Sequence, residues 1–199
     1  MVGGCDGDDI DRSREHGADI ITYCKRISET IKNLSGYVRP ADKHGLEAVD
    51  LNAALKEAVA MARLSPLSED IEIRERLETL PPIRAKSEDI QQALFNIVRN
   101  GMQSMGRSGK LDIDSSSYDG HVSVSIHDTG SGISAADMTK IFDPFFTTKD
   151  PDEGEGLGLF VVQEIVNGYD GTISFDSEEG RGTTCTITFP AQQSAEETS

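Results

Sequence analysis

Ile20, Cys24, Ile27, Ile31, Leu34 and Val38 recur at intervals of 4, 3, 4, 3 and 4. That heptad seam predicts a helix over about 19–38, with a narrower apolar stripe than an ordinary surface helix. Pro40 ends it. Two placements fit the seam: a helix lying on its own domain, or one member of an intermolecular helical bundle. Leu51, Leu55 and Val59 predict a second amphipathic helix over about 51–64, capped by Asp50. Ile71 and Ile73 alternate with charges and predict a strand. Pro81-Pro82 break the chain before a short strand at Ile83-Arg84-Ala85. A helix follows over about 88–105, with Ser87 as its cap. Leu111/Ile113 and Val122/Val124/Ile126 predict two strands, with Asp119-Gly120 suited to the tight turn between them. Ser134-x-x-Asp137 has capping-box spacing and starts one short helix inside the long stretch from Asp128 to Gly156. A helix over about 157–167 ends at Gly168 as a C-cap, and strands over 172–175 and 183–189 close the chain.

Helices interleaved with adjacent antiparallel strands predict an α+β fold. The expected form is a two-layer α/β sandwich, a mixed sheet with helices on one face, preceded by one long heptad helix. The irregular stretch 128–156 is longer than compact domains usually carry, and such loops are functional or disordered. Residues 1–18 and the tail 191–199 read as loose. The chain of 199 residues is long enough to bury roughly 70% of its unfolded surface without disulfide or metal staples. Its 19 Lys+Arg against 35 Asp+Glu give a formal charge of −16. That balance argues against nucleic acid or an anionic membrane as partner, because phosphate binding needs clustered cations. No apolar run is long enough to span a bilayer, and the N-terminus lacks the pattern of a secretory signal. Three scattered cysteines without CxxC spacing point to a reducing, cytoplasmic setting, which the soluble part of a membrane protein would share.

At about 100° per residue, Gln92, Asn96, Asn100 and Gln103 form one stripe of the helix over 88–105. Ile90, Leu94, Phe95, Ile97, Val98 and Met102 fall opposite. A solvated helix face is ordinarily charged. Neutral amides suit a polyphosphate bound with a metal: their oxygens ligate Mg²⁺ without adding charge and their NH₂ groups donate to phosphate. A chance Asn/Gln face is the plainer alternative. Asp128-Thr129-Gly130-Ser131-Gly132-Ile133 follows a strand, where glycines admit a ligand close to the backbone and the Asp can accept from an exocyclic amine. A simple turn has the same pattern. Gly154-Glu155-Gly156-Leu157-Gly158-Leu159 precedes a helix whose first N–H groups and dipole attract an anion. A flexible hinge is the alternative, and the spacing is neither the P-loop nor the dinucleotide pattern. Phe142-Asp143-Pro144-Phe145-Phe146-Thr147-Thr148-Lys149 places three aromatics in a polar loop, either to dock a partner or to pin the loop to its own core. Lys149 is the cation beside Asp150, Asp152, Glu153 and Glu155. Gly180-Arg181-Gly182-Thr183-Thr184 opens the last strand, and either Thr offers a hydroxyl, though Thr is also an ordinary strand residue.

Taken in this order, these segments resemble the ATP-binding catalytic domain of bacterial sensor histidine kinases. That Bergerat-type ATP fold is shared with gyrase, heat-shock chaperone and mismatch-repair ATPases. Asn96-Ile97-Val98-Arg99-Asn100-Gly101 resembles the N box, Asp128–Gly132 the G1 box, Phe142–Lys149 the F box, Gly154–Leu159 the G2 box and Gly180–Thr184 the final Gly-Thr motif. The FDPFFTTK run is similar to the nitrogen-sensor type. Ile27–Leu34 with Arg39-Pro40 resembles the second helix of the dimerisation hairpin. The resemblance implies a hairpin remnant at 19–46 and an ATP-binding domain at 47–190. It also implies ATP and Mg²⁺ as cofactors, a response regulator receiver domain as partner, and a homodimer in the parent protein through the hairpin. Nucleic acid and direct membrane contact are not expected. By position, Asn100 would coordinate Mg²⁺ with Asn96 beside it, and Asp128 would bond the adenine amine. Gly130 and Gly132 would shape the adenine pocket. Gly156, Leu157 and Gly158 would offer N–H groups to the phosphates. Lys149 and Arg99 would meet those phosphates, and Thr183 or Thr184 would sit near the adenine.

The sequence departs from the family at two places. Gly101 stands where the N box usually has Ala, which costs about 1 kcal/mol of helix propensity. The His-acid pair of the phosphoacceptor helix is also missing: the histidines are His16-Gly17, His44-Gly45, His121-Val122 and His127-Asp128, the last at a strand end. No catalytic residue is therefore assigned. The acceptor helix and sensor are expected upstream, and autophosphorylation by this chain alone is not expected. ATP-hydrolysing clamps of the fold carry a Glu where this chain has Asn96, and an amide takes no proton from water, so negligible hydrolysis is expected. A serine/threonine protein kinase of the same fold and a non-catalytic ATP-binding module are the alternatives.

Overall fold

The computed structural model describes residues 45–64, 70–149 and 156–192. The heptad helix, the N-terminal segment, the acids at 150–155 and the end of the tail lie outside the described residues. The elements are β1 (Glu47–Val49), α1 (Leu51–Ala62), β2 (Asp70–Leu77), β3 (Ile83–Ala85), α2 (Ser87–Met105), β4 (Ser108–Tyr118), β5 (His121–Asp128), α3 (Ala135–Met138), α4 (Gly158–Gly168), β6 (Thr172–Glu178) and β7 (Gly182–Pro190). β1 and β3 form a small antiparallel pair. The main sheet has the order β2-β4-β5-β7-β6. β2 and β4 are parallel, joined by the crossover that contains α2, and the other neighbours are antiparallel.

Period-two alternation sets the two faces of this sheet. In β5, Val122, Val124 and Ile126 are buried while the residues between them are part-exposed. Cys185, Ile187 and Phe189 of β7 join them, and Leu55 of α1, Leu94 and Val98 of α2 and Val162 and Val166 of α4 belong to the same core. The other face is polar: the Ser123 and Thr188 hydroxyls pair at 2.8 Å and His127 Nδ1 meets Thr184 Oγ1 at 3.0 Å. The result is the expected two-layer α+β sandwich.

Local signals hold in most places. Asp50 accepts from the N–H groups of Asn52 and Ala53, and Ser134 caps α3 through Asp137 N–H. Asp119 and Gly120 both have positive φ (50° and 72°), as a two-residue hairpin turn matched to strand twist requires. Two helix ends differ from their local signals. Ser87 is the first helical residue rather than the cap. Lys86 holds the cap position with extended backbone and no side-chain bond, and the acids Glu88 and Asp89 in the first turn complement the helix dipole. Gly168 lies within α4, and the left-handed turn comes two residues later at Asp170 (φ 56°), a residue type that tolerates it. Tyr169, between them, donates its hydroxyl to the Asp89 carboxylate and accepts from Lys86 N–H at 3.2 Å, tying α4 to the start of α2. Burial and the neighbouring carboxylate push its phenol up to about 12.

Candidate functional site

β5 ends on its buried face with Asp128, 6% exposed. Ser104 Oγ, in the last turn of α2, donates to Asp128 Oδ1 at 2.9 Å, and Gly130 N–H donates to the same oxygen at 2.9 Å. Oδ2 lies on the side of Gly101, where an added Cβ would stand 3.6 Å from it. Burial pushes this carboxyl above the ordinary carboxylate range, and the donors from Gly130, Ser104 and the Thr183 backbone offset only part of that. A buried acceptor with one oxygen held by donors is suited to an amine donor.

Close backbone approach shapes the hollow beside it. A Cβ on Gly130 would fall 2.0 Å from Ser104 Oγ, and one on Gly132 2.1 Å from Glu178 O, so side chains at these positions would push the loop off its neighbours. Gly156 (φ 69°) backs directly onto Phe145, whose own φ is 66°.

The amide row of α2 is only partly open to water. Asn96 is buried, and Gln92, Asn100 and Gln103 are half-buried. The start of α4 lies over this side: a Cβ on Gly158 would stand 3.8 Å from Asn100 Nδ2 and 4.0 Å from both Asn96 Cγ and Arg99 Nη2. Helical periodicity identifies a face, but packing decides what covers it. Phe95, expected with the apolar residues, is half-buried, with the exposed Arg99 guanidinium 5.6 Å over its ring. Lys149 Nζ donates to Gln103 Oε1 at 2.6 Å and to Asn100 Oδ1 at 3.4 Å. A side-chain cation thus stands at the neutral amide oxygen to which the family resemblance gives a metal. Among the described residues no group of three His, Cys, Asp or Glu could hold a metal ion. The donors present fit a hard cation carried in by phosphate and keeping most of its own water.

Leu157, buried, caps α4 and brings no side-chain acceptor to the helix's first N–H groups. Thr183 and Thr184 are separated by strand alternation. Thr183 is buried, shares a 2.9 Å hydroxyl contact with Ser177 and pairs in register with Asp128, whereas Thr184 lies on the polar face against His127. Phe142 packs edge-on against Phe175 at 5.7 Å and pins the loop, while Phe145 is 64% exposed. The structure therefore gathers Asn96, Asn100 and Lys149 near Gly158, and Asp128, Gly130 and Thr183 at the adjacent strand ends, while Thr184 points away. Sequence reasoning missed Ser104 and gave Gln103 no partner. The signal was available, since Ser104 lies one helical turn after Asn100.

Residues 85–193, more than half of the chain, match the family model described as histidine kinase-, DNA gyrase B-, and HSP90-like ATPase. The chain belongs to this family. Sensor histidine kinase ZraS of Escherichia coli K12 is 36% identical over 166 residues, covering 83% of this chain and 35% of ZraS. The histidine kinase AtoS of the same organism is 33% identical over 187 residues, 93% of this chain and 30% of AtoS. The chain spans about a third of the length of these curated relatives. The solved catalytic domain of histidine kinase ThkA superposes with TM-score 0.65 at 28% identity, over 73% of this chain and 95% of that one. Full-length ShkA, solved in complex with AMPPNP, shares the fold with TM-score 0.77 at 24% identity, over 92% of this chain and 40% of its own. The homologues are sensor histidine kinases, and this ATPase domain is of their catalytic type. Among the described residues no helix is long and apolar enough to cross a membrane.

Proposed function

We propose that the chain binds Mg·ATP in the hollow between α2, the 128–132 loop and α4, and donates the γ-phosphate to a histidine on a dimerisation hairpin. The observation that carries this reading is the convergence of Lys149 on Asn100 and Gln103 beneath Gly158, with the buried Asp128 carboxyl at the adjoining strand end.

In this reading Asp128 Oδ2 accepts from the exocyclic amine of adenine, with Gly130, Gly132 and Thr183 around the base. The backbone N–H groups at Gly156, Leu157 and Gly158 donate to phosphate oxygens. Lys149 leaves its two amide oxygens to meet the phosphates, and Arg99 stands at the rim. That exchange frees Asn100 Oδ1, beside Asn96, for Mg²⁺. The bound pair supplies the transferable phosphoryl group and the charge that neutralises it, and the residues supply position and electrostatic complementarity. Asn96 offers no base to activate water, which favours transfer over hydrolysis.

Residues 47–190 are then the ATP-binding domain, 19–46 the second hairpin helix through which the parent protein dimerises, and a receiver domain the onward acceptor, in a cytoplasmic setting. The test is incubation of the full chain with γ-labelled ATP, Mg²⁺ and the separately supplied hairpin domain of ZraS. Acid-labile, base-stable label on the hairpin supports the reading. Label on serine or threonine, or ATP binding without transfer, would replace it with one of the alternatives.

A further inference from the structure

We propose that Ser104 is a positioning residue for base recognition: its hydroxyl fixes Asp128 Oδ1 so that Oδ2 is presented to a 6-amino purine. The inference rests on the nucleotide reading above and concerns a residue outside the motifs that led to it. Ser104 Oγ lies 2.9 Å from Asp128 Oδ1 and 2.8 Å from Gly101 O, with one proton to share. An ionised carboxylate draws that proton, since charge-assisted bonds are about twice as strong as neutral ones. Gly130 N–H reaches the same oxygen at 2.9 Å, so two donors from different directions set the carboxyl plane. The Thr183 backbone also donates to this carboxyl, and among the described residues Ser104 is the side chain that bonds it, so its orientation is adjustable there. The same residue seats the loop: Ser131 N–H donates to Ser104 O at 3.1 Å, and Gly130 lacks a Cβ where Ser104 Oγ passes. α2 and the base-binding loop therefore share one residue, and Oδ2 of Asp128, the oxygen that Ser104 and Gly130 do not hold, lies on the side of Gly101.

The experiment is calorimetry on the full chain with Mg²⁺ and either ATP or purine riboside triphosphate, which has hydrogen in place of the 6-amino group. Ser104→Ala is expected to weaken ATP roughly tenfold, as for a lost bond to a charged group, and to leave the 6-hydrogen analogue unchanged. Ser104→Cys, of similar shape with a weak donor, is expected to fall between. Equal weakening of both ligands would show a merely structural role and overturn the inference. So would an unchanged preference for ATP while wild-type binding stands. Wild-type protein that binds neither ligand would overturn the nucleotide reading and this inference with it.

Discussion

Asp128→Asn separates recognition from stability at a single atom. The amide has the carboxylate's shape, and its oxygen retains the contacts of Oδ1 with Ser104 and Gly130. That choice puts the NH₂ group where Oδ2 stood, so a donor meets the donor of the adenine amine. Losing a hydrogen bond to a charged acceptor costs about 1.5–3 kcal/mol, a rise in Kd of roughly 10- to 140-fold, and the donor–donor contact favours the upper end. Stability moves the other way. Asp128 is buried, and burial outweighs its donors in raising the carboxyl's pKa. Between the unfolded pKa and the raised folded one, the native chain binds more protons than the unfolded chain. Stability therefore falls as pH rises through that window. Above that window the wild type carries the whole cost of the buried charge and the variant does not. Asp128→Asn is thus expected to melt higher at neutral pH, by about 2–4 °C for each kcal/mol relieved, with the gap closing below about pH 4. Calorimetric titration with Mg·ATP and melting curves across pH check both halves. Wild-type affinity in the variant would remove Asp128 as the base anchor. A lower melting point at neutral pH would show that its donors outweigh burial.

Lys149→Ala removes the cation that meets Asn100 and Gln103, so Mg·ATP affinity or phosphoryl transfer should drop; unchanged values for both would reject its phosphate role. Asn100→Ala should abolish the dependence of ATP affinity on Mg²⁺, read by titration with the metal and with chelator, and a retained metal effect would exclude this residue as the ligand. Tyr169→Phe loses the bonds to Asp89 and Lys86 N–H and should cost about 1 kcal/mol, seen as about 2–4 °C in Tm. The phenol's pKa is raised from 10.0 to about 12, so its contribution is complete below the lower value and lost as pH rises through the upper one. The variant's alkaline unfolding limb should accordingly be flatter.

What local chemistry dictates was legible without coordinates. Val122, Val124 and Ile126 alternate because a half-buried strand has period two, Asp119-Gly120 turns because both residues take positive φ, and Asn96 and Asn100 share a stripe because a helix repeats every 3.6 residues. Period alone names faces without naming what covers them. The period puts the amides in one row, and packing lays the start of α4 and Lys149 over it. Thr183 and Thr184 had to point apart, but only the pairing of β7 with β5 decided which one shares the buried face with Asp128. The parallel pairing of β2 with β4, the bond from Ser104 to Asp128 and the tie from Tyr169 to Asp89 join residues far apart in the chain. Such long-range contacts belong to the three-dimensional arrangement, because no local pattern encodes which distant donor will reach a buried acceptor.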